Sequence, residues 1–313
     1  MPLCSLQLME TTTPPVFAKR LLLVHQSNSY TYDTKMSVEI RPLQNSDQSV
    51  VSNFLEQNTI TNLYILDLLD RQGVNYWGLH RWTGAFLGTE LLALNVDIAC
   101  TENQPCKLSV PVGHPELCVH FGRRTANKGG VERIMAERVA ADAFWEGLGQ
   151  PTPIINHPQW VMHIDQNPLG DALNIRPGTK ELLPQLIEST ALMRLEDEGT
   201  DPRIGDYSLW QQTIEILVAQ RRIWVGMEKG ELGFVIEIGT RCKKGAQIGS
   251  TYVPRHLRGR GLSTRGMRAI VKRMLVDCDS VSLLVKEDNV PAIRCYERVG
   301  FKYGDQYRLY SFV

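Results

Sequence analysis

The sequence predicts a mixed α/β protein built from two similar halves. Stretches with the two-residue apolar alternation of strands are interleaved with stretches that have helical spacing. The segment Ile40-Arg41-Pro42 recurs as Ile175-Arg176-Pro177, 135 positions later, a distance that suits one small domain. A length of 313 residues also suits two domains, at about 150 residues each. We therefore expect a flexible tail at 1–36, a first domain at 37–170 and a second domain at 171–313.

The first domain is predicted to open with a strand that is ended by Pro42. The apolar side chains of 131–148, among them Ile134, Val139 and Phe144, predict one helix with a buried side. The full prediction for this domain is strands at 38–43, 76–81, 90–96, 108–112 and 160–164, with helices at 47–57, 62–69 and 131–148.

The second domain repeats this alternation of helix and strand. Pro184 falls in the first turn of its first helix, where proline is tolerated. Lys229-Gly230-Glu231 predicts a turn between two paired strands. The prediction is strands at 222–228, 232–238, 246–253, 280–285 and 307–312, with helices at 182–195, 209–221, 262–275 and 291–299.

A turn rich in arginine and glycine follows the predicted strand 246–253. Five arginines and no acidic residue fall between positions 255 and 268. Gly259 and Gly261 allow a close backbone approach to a ligand, and Ser263 or Thr264 can cap the following helix. The first amides of a helix have no partner within it and lie at the positive end of its dipole. The turn therefore predicts a site for a phosphate-rich ligand.

Two motifs in this half resemble those of the GCN5-related N-acetyltransferases (GNAT). Residues 258–263, Arg-Gly-Arg-Gly-Leu-Ser, resemble the R/Q-x-x-G-x-G/A acetyl-CoA signature, with Ser263 where glycine or alanine is usual. Residues 288–301 are similar to the late D-N-x-P-A-x-x-x-Y-x-x-x-G-F motif of the family. The resemblance covers residues 171–313. It implies two GNAT-like domains in tandem, each a mixed, mostly antiparallel sheet flanked by helices, with a degenerate first copy that does not bind acetyl-CoA in the usual way.

The resemblance also implies which residues bind acetyl-CoA. The strand before the turn would pair with the pantetheine arm, and the Val253 N–H would polarise the thioester carbonyl. The turn would bind the pyrophosphate, with Arg255, Arg260 and Arg265 as further phosphate contacts. The implied cofactor-binding residues are Thr251, Tyr252, Val253, Arg258, Gly259, Arg260, Gly261, Leu262, Ser263, Thr264 and Asn289.

The catalytic residues are predicted less directly. By resemblance, Tyr296 is the general acid for the leaving thiolate; the alternative is a buried core tyrosine. Asn289 either reaches the pantetheine or only caps the helix that starts near Pro291. Glu237 lies in an otherwise apolar strand, where burial would raise its pKa towards that of a base; the alternative is a rim residue that faces water. Cys295 is expected only to pack.

The predicted function is an N-acetyltransferase that moves an acetyl group from acetyl-CoA to a small-molecule or peptide amine, by direct attack in a ternary complex. Nothing near the motif resembles an activated cysteine or serine nucleophile. The alternatives are a transferase of another acyl group, a non-catalytic CoA-binding sensor, and a first half that presents a protein substrate. The acidic residues Glu196, Asp197, Glu198 and Asp201 could attract a cationic amine; the preferred interpretation is a solvated loop.

Bulk properties exclude several other classes. The net charge is +0 and the pI about 7.0, which argues against nucleic-acid and membrane-surface partners. No apolar run reaches the length of about 18 residues that a membrane span needs. Seven cysteines without a C-x-x-C pair favour reduced thiols over disulfides or a metal site. We therefore expect a cytoplasmic enzyme without a metal.

Overall fold

The computed structural model describes residues 38–74, 79–100 and 104–313. The predicted tail at 1–36 lies outside the described residues. Residues 38–313 form one compact unit. None of the helices in the described ranges is both long and apolar enough to cross a bilayer.

The two halves have the same order of elements. In each half a strand is followed by two helices, three strands, a helix, a strand, a helix and a closing strand. The first half contains β1 (Val38–Pro42), α1 (Gln48–Glu56), α2 (Leu63–Gln72), β2 (His80–Leu87), β3 (Glu90–Ile98), β4 (Leu108–Gly113), α3 (Pro115–Ala126), β5 (Arg133–Glu137), α4 (Arg138–Gly147) and β6 (Ile155–Ile164).

The second half begins after a connection at 165–174, which contains no helix or strand. Its elements are β7 (Ile175–Pro177), α5 (Leu183–Glu198), α6 (Tyr207–Ala219), β8 (Ile223–Glu228), β9 (Glu231–Cys242), β10 (Gly245–Tyr252), α7 (Leu262–Met274), β11 (Val281–Lys286), α8 (Val290–Val299) and β12 (Lys302–Ser311).

The strands of both halves form one sheet. Within the described residues its order is β1-β2-β3-β4-β5-β12-β6-β11-β10-β9-β8-β7. Neighbouring strands are mostly antiparallel; β4 with β5 and β10 with β11 are the parallel pairs. This arrangement confirms the predicted fold class.

The closing strands are exchanged between the halves. β12, from the second half, lies between β5 and β6 of the first half, and β6 lies between β12 and β11 of the second. β6 pairs with β11 from Ile164↔Val281 to Gln159↔Lys286. Each half therefore needs a strand from the other half to complete its part of the sheet. The domain boundary between 170 and 171 falls in the connection and stays a prediction.

Helices cover both faces of the sheet, as a mixed sheet with two apolar faces requires. In the second half, Phe234 and Ile236 of β9 pack in one core with Ile270 of α7, whereas Val235 packs in another with Leu186 of α5. One face of β9 therefore packs against α7 and α8 and the other against α5 and α6, as the two-residue period of a strand requires.

One predicted element of the first half was wrong. The helix expected at 131–148 is β5 followed by α4, because Ile134 and Ala136 are buried at a two-residue spacing and β5 pairs with the distant β12. Of the strand expected at 76–81, positions 76–78 lie outside the described residues, and positions 80 and 81 belong to β2. Helix α3 was not predicted.

Candidate active site

A cavity forms where β10 and β11 separate. The two parallel strands pair at Ala246↔Val281 and Gln247↔Ser282. Beyond these pairs β10 is irregular, with register shifts against β9 and a positive φ of 49° at Ser250. The strands diverge towards their carboxyl ends and leave a cavity of about 620 Å³.

The arginine- and glycine-rich turn closes one end of this cavity. Gly259 and Gly261 have φ values of 77° and 73°, a region that a β carbon makes costly. Helix α7 starts at Leu262, and its first internal hydrogen bond joins the Arg265 amide to the Gly261 carbonyl at 3.0 Å. The amides of 262–264 therefore lie outside the helical ladder at its positive end, where an anion can accept from them.

The predicted side-chain cap of α7 was wrong. Gly261 itself occupies the N-cap position, and no side chain caps the helix. The hydroxyl groups of Ser263 and Thr264 instead contact the Cys295 sulfur at 3.3 and 3.4 Å. This contact joins α7 to α8 and leaves the helix amides to a ligand.

Helix α8 brings the late motif into the same cavity. The Asn289 side-chain oxygen accepts from the Ala292 amide at 3.2 Å and so caps the helix. Asn289 and Tyr296 both line the cavity. Burial raises the pKa of Tyr296, the nearby Cys295 thiol raises it further, and a hydrogen bond with Thr251 opposes the shift. The phenol is therefore protonated at neutral pH and can donate a proton.

The sequence motifs and the cavity agree with a comparison against protein families. The model described as the acetyltransferase (GNAT) family matches residues 190–301. This segment of the chain is similar to the GNAT family. This finding confirms the resemblance that the turn and the late motif indicated.

Solved GNAT structures share the fold over most of this chain. A GCN5-related N-acetyltransferase from Sphaerobacter thermophilus is 17% identical with a TM-score of 0.56, over 87% of this chain and 94% of that chain. A GNAT-family acetyltransferase from Colwellia psychrerythraea is 11% identical with a TM-score of 0.52, over 88% and 100%. A tandem GNAT protein from the clavulanic acid biosynthesis pathway is 16% identical with a TM-score of 0.50, over 88% and 98%. No curated protein matches the sequence.

Most of the residues predicted to bind the cofactor line the cavity of this GNAT fold. The Tyr252 side chain itself is 5% exposed and packs in the core under α5 and α6. The predicted residues that line the cavity are Thr251, Tyr252, Val253, Arg258, Gly259, Gly261, Leu262, Ser263, Thr264 and Asn289.

The predicted phosphate-binding arginines are placed differently. Arg258 lines the cavity, but its guanidinium bonds Glu196 at 2.7 Å and the Val253 carbonyl at 2.9 Å. Arg255, Arg260 and Arg265 are not among the lining residues. Arg298 of α8 lines the cavity instead. It follows Tyr296 by two positions, and helical residues at that spacing do not share a face. The helical pattern of the sequence therefore did not indicate Arg298.

Glu237 does not lie in the cavity. It sits on β9 opposite Ile223 and Gly249, and its carboxylate pairs with the Arg222 guanidinium at 3.2 Å. The expectation of a carboxylate with only apolar neighbours was therefore wrong. Glu237 has a guanidinium partner and does not line the cavity, so the physical basis for naming it as the base is lost.

The last turn of α5 lies across the mouth of the cavity. Glu196, Asp197 and Glu198 line it and belong to helix α5, so the prediction of a loop was wrong, while Glu196 and Asp197 are exposed to solvent. Glu196 bonds Arg255 at 2.9 Å and Arg258 at 2.7 Å, while Asp197 pairs with the Lys286 ammonium at 2.7 Å. Gly199 ends the helix in the left-handed conformation. A glycine directly after a helical stretch is a helix-end pattern that could have revealed this turn.

The first half has a smaller cavity at the equivalent place. β4 and β5 pair in parallel at Ser109↔Ile134, and a cavity of about 280 Å³ lies beside their carboxyl ends. Glu137 caps α4 by accepting from the Ala140 amide at 3.2 Å, as Asn289 caps α8. Phe144 follows Glu137 by seven positions, the spacing that separates Tyr296 from Asn289.

The first half has chemically different residues at the positions equivalent to Tyr296 and Gly261. Phe144 has no hydroxyl group and therefore cannot act as an acid. His114, with a φ of −63°, precedes α3 where Gly261 precedes α7. That the first half does not bind acetyl-CoA in the usual way stays a prediction, with Phe144 as an added argument. No group of three His, Cys, Asp or Glu side chains in the described ranges could hold a metal ion.

Proposed function

We propose that the protein transfers an acetyl group from acetyl-CoA to an amine by direct attack in a ternary complex. The observation that carries the proposal is one cavity with free helix amides of α7 at one end and the half-buried Tyr296 side chain in its wall. Free amides suit a pyrophosphate, and a protonated phenol suits a leaving thiolate.

The residues present fit acetyl-CoA. The turn at Gly259 and Gly261 is open, with no atom within 4 Å of the place where a β carbon would lie. The amides of 262–264 would hold the pyrophosphate, with Arg258 beside them. When bound, acetyl-CoA supplies an activated carbonyl and a thiolate leaving group.

The protein's own groups would orient the thioester and protonate the leaving thiolate. The irregular end of β10 leaves backbone amides near Val253 available to the thioester carbonyl, where they would stabilise developing negative charge. The amine loses one proton to solvent, its nitrogen forms the bond to the acyl carbon, and the carbon–sulfur bond breaks. Tyr296 gives its proton to the sulfur, and the second amine proton restores the phenol.

A covalent route through Cys295 is not supported. The thiol is 8% exposed and its contacts are the hydroxyl groups of Ser263 and Thr264, which cannot take its proton at neutral pH. An activated thiol needs a base or a cationic partner. Direct attack therefore agrees better with the site.

The test is a calorimetric titration of acetyl-CoA into the wild-type chain and two variants. Gly261→Ala adds a methyl group in open space, but the positive φ at this position costs alanine about 1–2 kcal/mol. We expect this strain to weaken acetyl-CoA binding about tenfold. Gly261→Glu adds a negative charge at the phosphate position and abolishes binding. Absence of acetyl-CoA binding by the wild-type chain would refute the proposal, and two sites per chain would show that the first half also binds.

A further inference from the structure

Two free cysteines face each other where β3 ends and β4 begins, in the first half of the chain. The two strands pair in antiparallel register as far as Ile98↔Leu108, and two positions further the same register places Cys100 opposite Cys106. Opposed residues of antiparallel strands have Cα atoms about 4.5–5.5 Å apart, within the range that a disulfide needs. The two thiol groups already form a hydrogen bond with each other.

Backbone hydrogen bonds hold the two cysteines from opposite sides. The Cys100 amide donates to the Leu79 carbonyl, before β2, at 2.9 Å. The Cys106 amide donates to the Gly130 carbonyl, before β5, at 3.1 Å, and the Cys106 carbonyl accepts from the Glu132 amide at 2.9 Å. The sheet therefore fixes both backbones, and a bond between the sulfur atoms requires rotation of the side chains but no rearrangement of the sheet.

The two thiols differ in reactivity. Cys106 is 0% exposed, and both its hydrogen bond with Cys100 and its burial raise its pKa. Cys100 is half-buried. The hydrogen bond with Cys106 and the positive charge of Arg81 lower the pKa of Cys100 to about 7, against the effects of burial and of the Asp97 carboxylate. Because the thiolate is the nucleophilic form, Cys100 is the attacking thiol and Cys106 the resolving one.

Arg81 of β2 supplies the positive charge next to Cys100. Its guanidinium forms a hydrogen bond with the Cys100 thiol. Its Nε lies 3.9 Å from Oδ2 of Asp97, and Asp97 accepts instead from Ser109 at 2.6 Å and from Asn95 at 2.8 Å. Nε and Nη2 of Arg81 are buried and donate no hydrogen bond within the described residues. The guanidinium is therefore not held by the carboxylate and can stabilise a thiolate.

No other cysteine in the described ranges combines exposure with a lowered pKa. Cys118, Cys278 and Cys295 are buried, and burial raises the pKa of Cys118 to about 12. Cys242 is half-buried, but burial raises its pKa as well. Redox-sensitive cysteines have a low pKa, are accessible and lie next to a second thiol, which among these residues describes Cys100.

We propose that Cys100 and Cys106 form a reversible disulfide when a peroxide oxidises the chain. The Cys100 sulfur attacks one oxygen of hydrogen peroxide, the O–O bond breaks, and the second oxygen leaves as hydroxide and takes up a proton. The sulfur is oxidised by two electrons to a sulfenic acid. Cys106 then loses its proton and its sulfur bonds to that of Cys100, while the S–O bond breaks and the hydroxide leaves as water.

The net reaction converts two thiols and one peroxide into a disulfide and two waters, and an added thiol reverses it by exchange. The inference does not depend on the proposed acetyl transfer. Cys106 precedes the first residue of β4, Leu108, whereas the smaller cavity lies beside the carboxyl end of that strand.

The test treats the whole reduced chain with a stoichiometric amount of hydrogen peroxide at neutral pH. Free thiols are then alkylated with iodoacetamide. Trypsin releases both cysteines in one peptide, 82–107, and a glutamate-specific protease cuts between them after Glu102. We expect this peptide to carry no alkyl group and to weigh two hydrogens less than its reduced form. The fragments with the two cysteines stay joined until a reductant is added.

Variants separate the part of each residue. In Cys106→Ser the sulfenic acid at Cys100 persists and is trapped by dimedone, whereas in Cys100→Ser oxidation of the peptide is at least about tenfold slower. Arg81→Gln slows alkylation of Cys100 at neutral pH by about three- to tenfold, because less thiolate is present. Arg81→Lys keeps the charge and stays within about twofold of the wild type. Cys242→Ser is the matched control and behaves as the wild type.

Four results would overturn the inference or part of it. A wild-type peptide 82–107 that stays fully alkylated after peroxide treatment would refute the disulfide. A sulfinic acid at Cys100 would refute it too, because a resolving thiol within reach forms the disulfide first. A bond from either cysteine to another cysteine would replace the proposed pair. Equal alkylation rates in the wild type and in Arg81→Gln, with circular dichroism showing that the variant is folded, would remove Arg81 from the site.

Discussion

Replacement of Tyr296 by phenylalanine tests the role of the hydroxyl group in turnover separately from the binding of acetyl-CoA. The ring contacts Phe301, with centroids 5.9 Å apart, and a phenylalanine keeps that contact. Only the hydroxyl group is lost, together with its hydrogen bond to Thr251. The loss of one neutral hydrogen bond costs about 1 kcal/mol of folding free energy, so the variant folds.

The effect on turnover is expected to be much larger. A positioned general acid contributes about 10²- to 10⁴-fold to a rate, which corresponds to about 3–5 kcal/mol at 1.4 kcal/mol per tenfold change. Because the phenol would act on the leaving sulfur and not on the phosphate groups, we expect the Kd of acetyl-CoA to change less than about twofold. The predicted result is a large fall in kcat at unchanged cofactor affinity.

The assay is steady-state release of CoA with a saturating amine, beside calorimetry with acetyl-CoA. Tyr307→Phe is a matched control, because burial also raises the pKa of Tyr307 but that residue lines the smaller cavity of the first half. We expect it to keep wild-type kcat. A Tyr296→Phe variant with wild-type kcat, or equal losses in both variants, would show that Tyr296 is not the acid.

Three further predictions concern the surroundings of the site. Glu196→Gln removes the charge that holds Arg258 and should lower the Kd of acetyl-CoA by up to about fivefold; weaker binding in a titration would contradict this. Gly266→Ala places a methyl group 2.5 Å from the Phe234 ring and should cost about 1–3 kcal/mol by urea unfolding, whereas Gly205→Ala, in open space, should not. Burial raises the pKa of Tyr296 and of Tyr307 above the value of about 10 in the unfolded chain. The unfolded chain therefore loses these protons first, and the free energy of unfolding should fall as pH rises above 10. A free energy of unfolding that stays constant above pH 10 would exclude this.

The sequence predicted best what depends on neighbouring residues. The turn at Gly259 and Gly261, the start of α7 and the α8 motif with Asn289 and Tyr296 are local patterns, since glycine conformation, helix caps and helical spacing act within a few residues. These elements carry most of the candidate site. They were therefore correct before any contact between distant segments was known.

The errors concern contacts between distant segments. Glu237 looked isolated because its partner Arg222, 15 residues away, lies just before the adjacent strand β8. Residues 133–137 looked helical because the sequence does not reveal β12 as their neighbour. Gln159 of β6 lines the cavity but carried no recognisable motif, since its position depends on the exchange of the closing strands.

That exchange also sets the order in which the molecule can be completed during synthesis. The Tyr307 hydroxyl donates to the Met135 carbonyl across 172 residues of chain, and β12 is synthesised after the other strands of this sheet. During synthesis, one side of β5 therefore stays unpaired until β12 has emerged. Unpaired strand edges are prone to aggregate, and long-range pairing is slow. A chain that is cut short before residue 302 would thus leave the first half incomplete as well as the second.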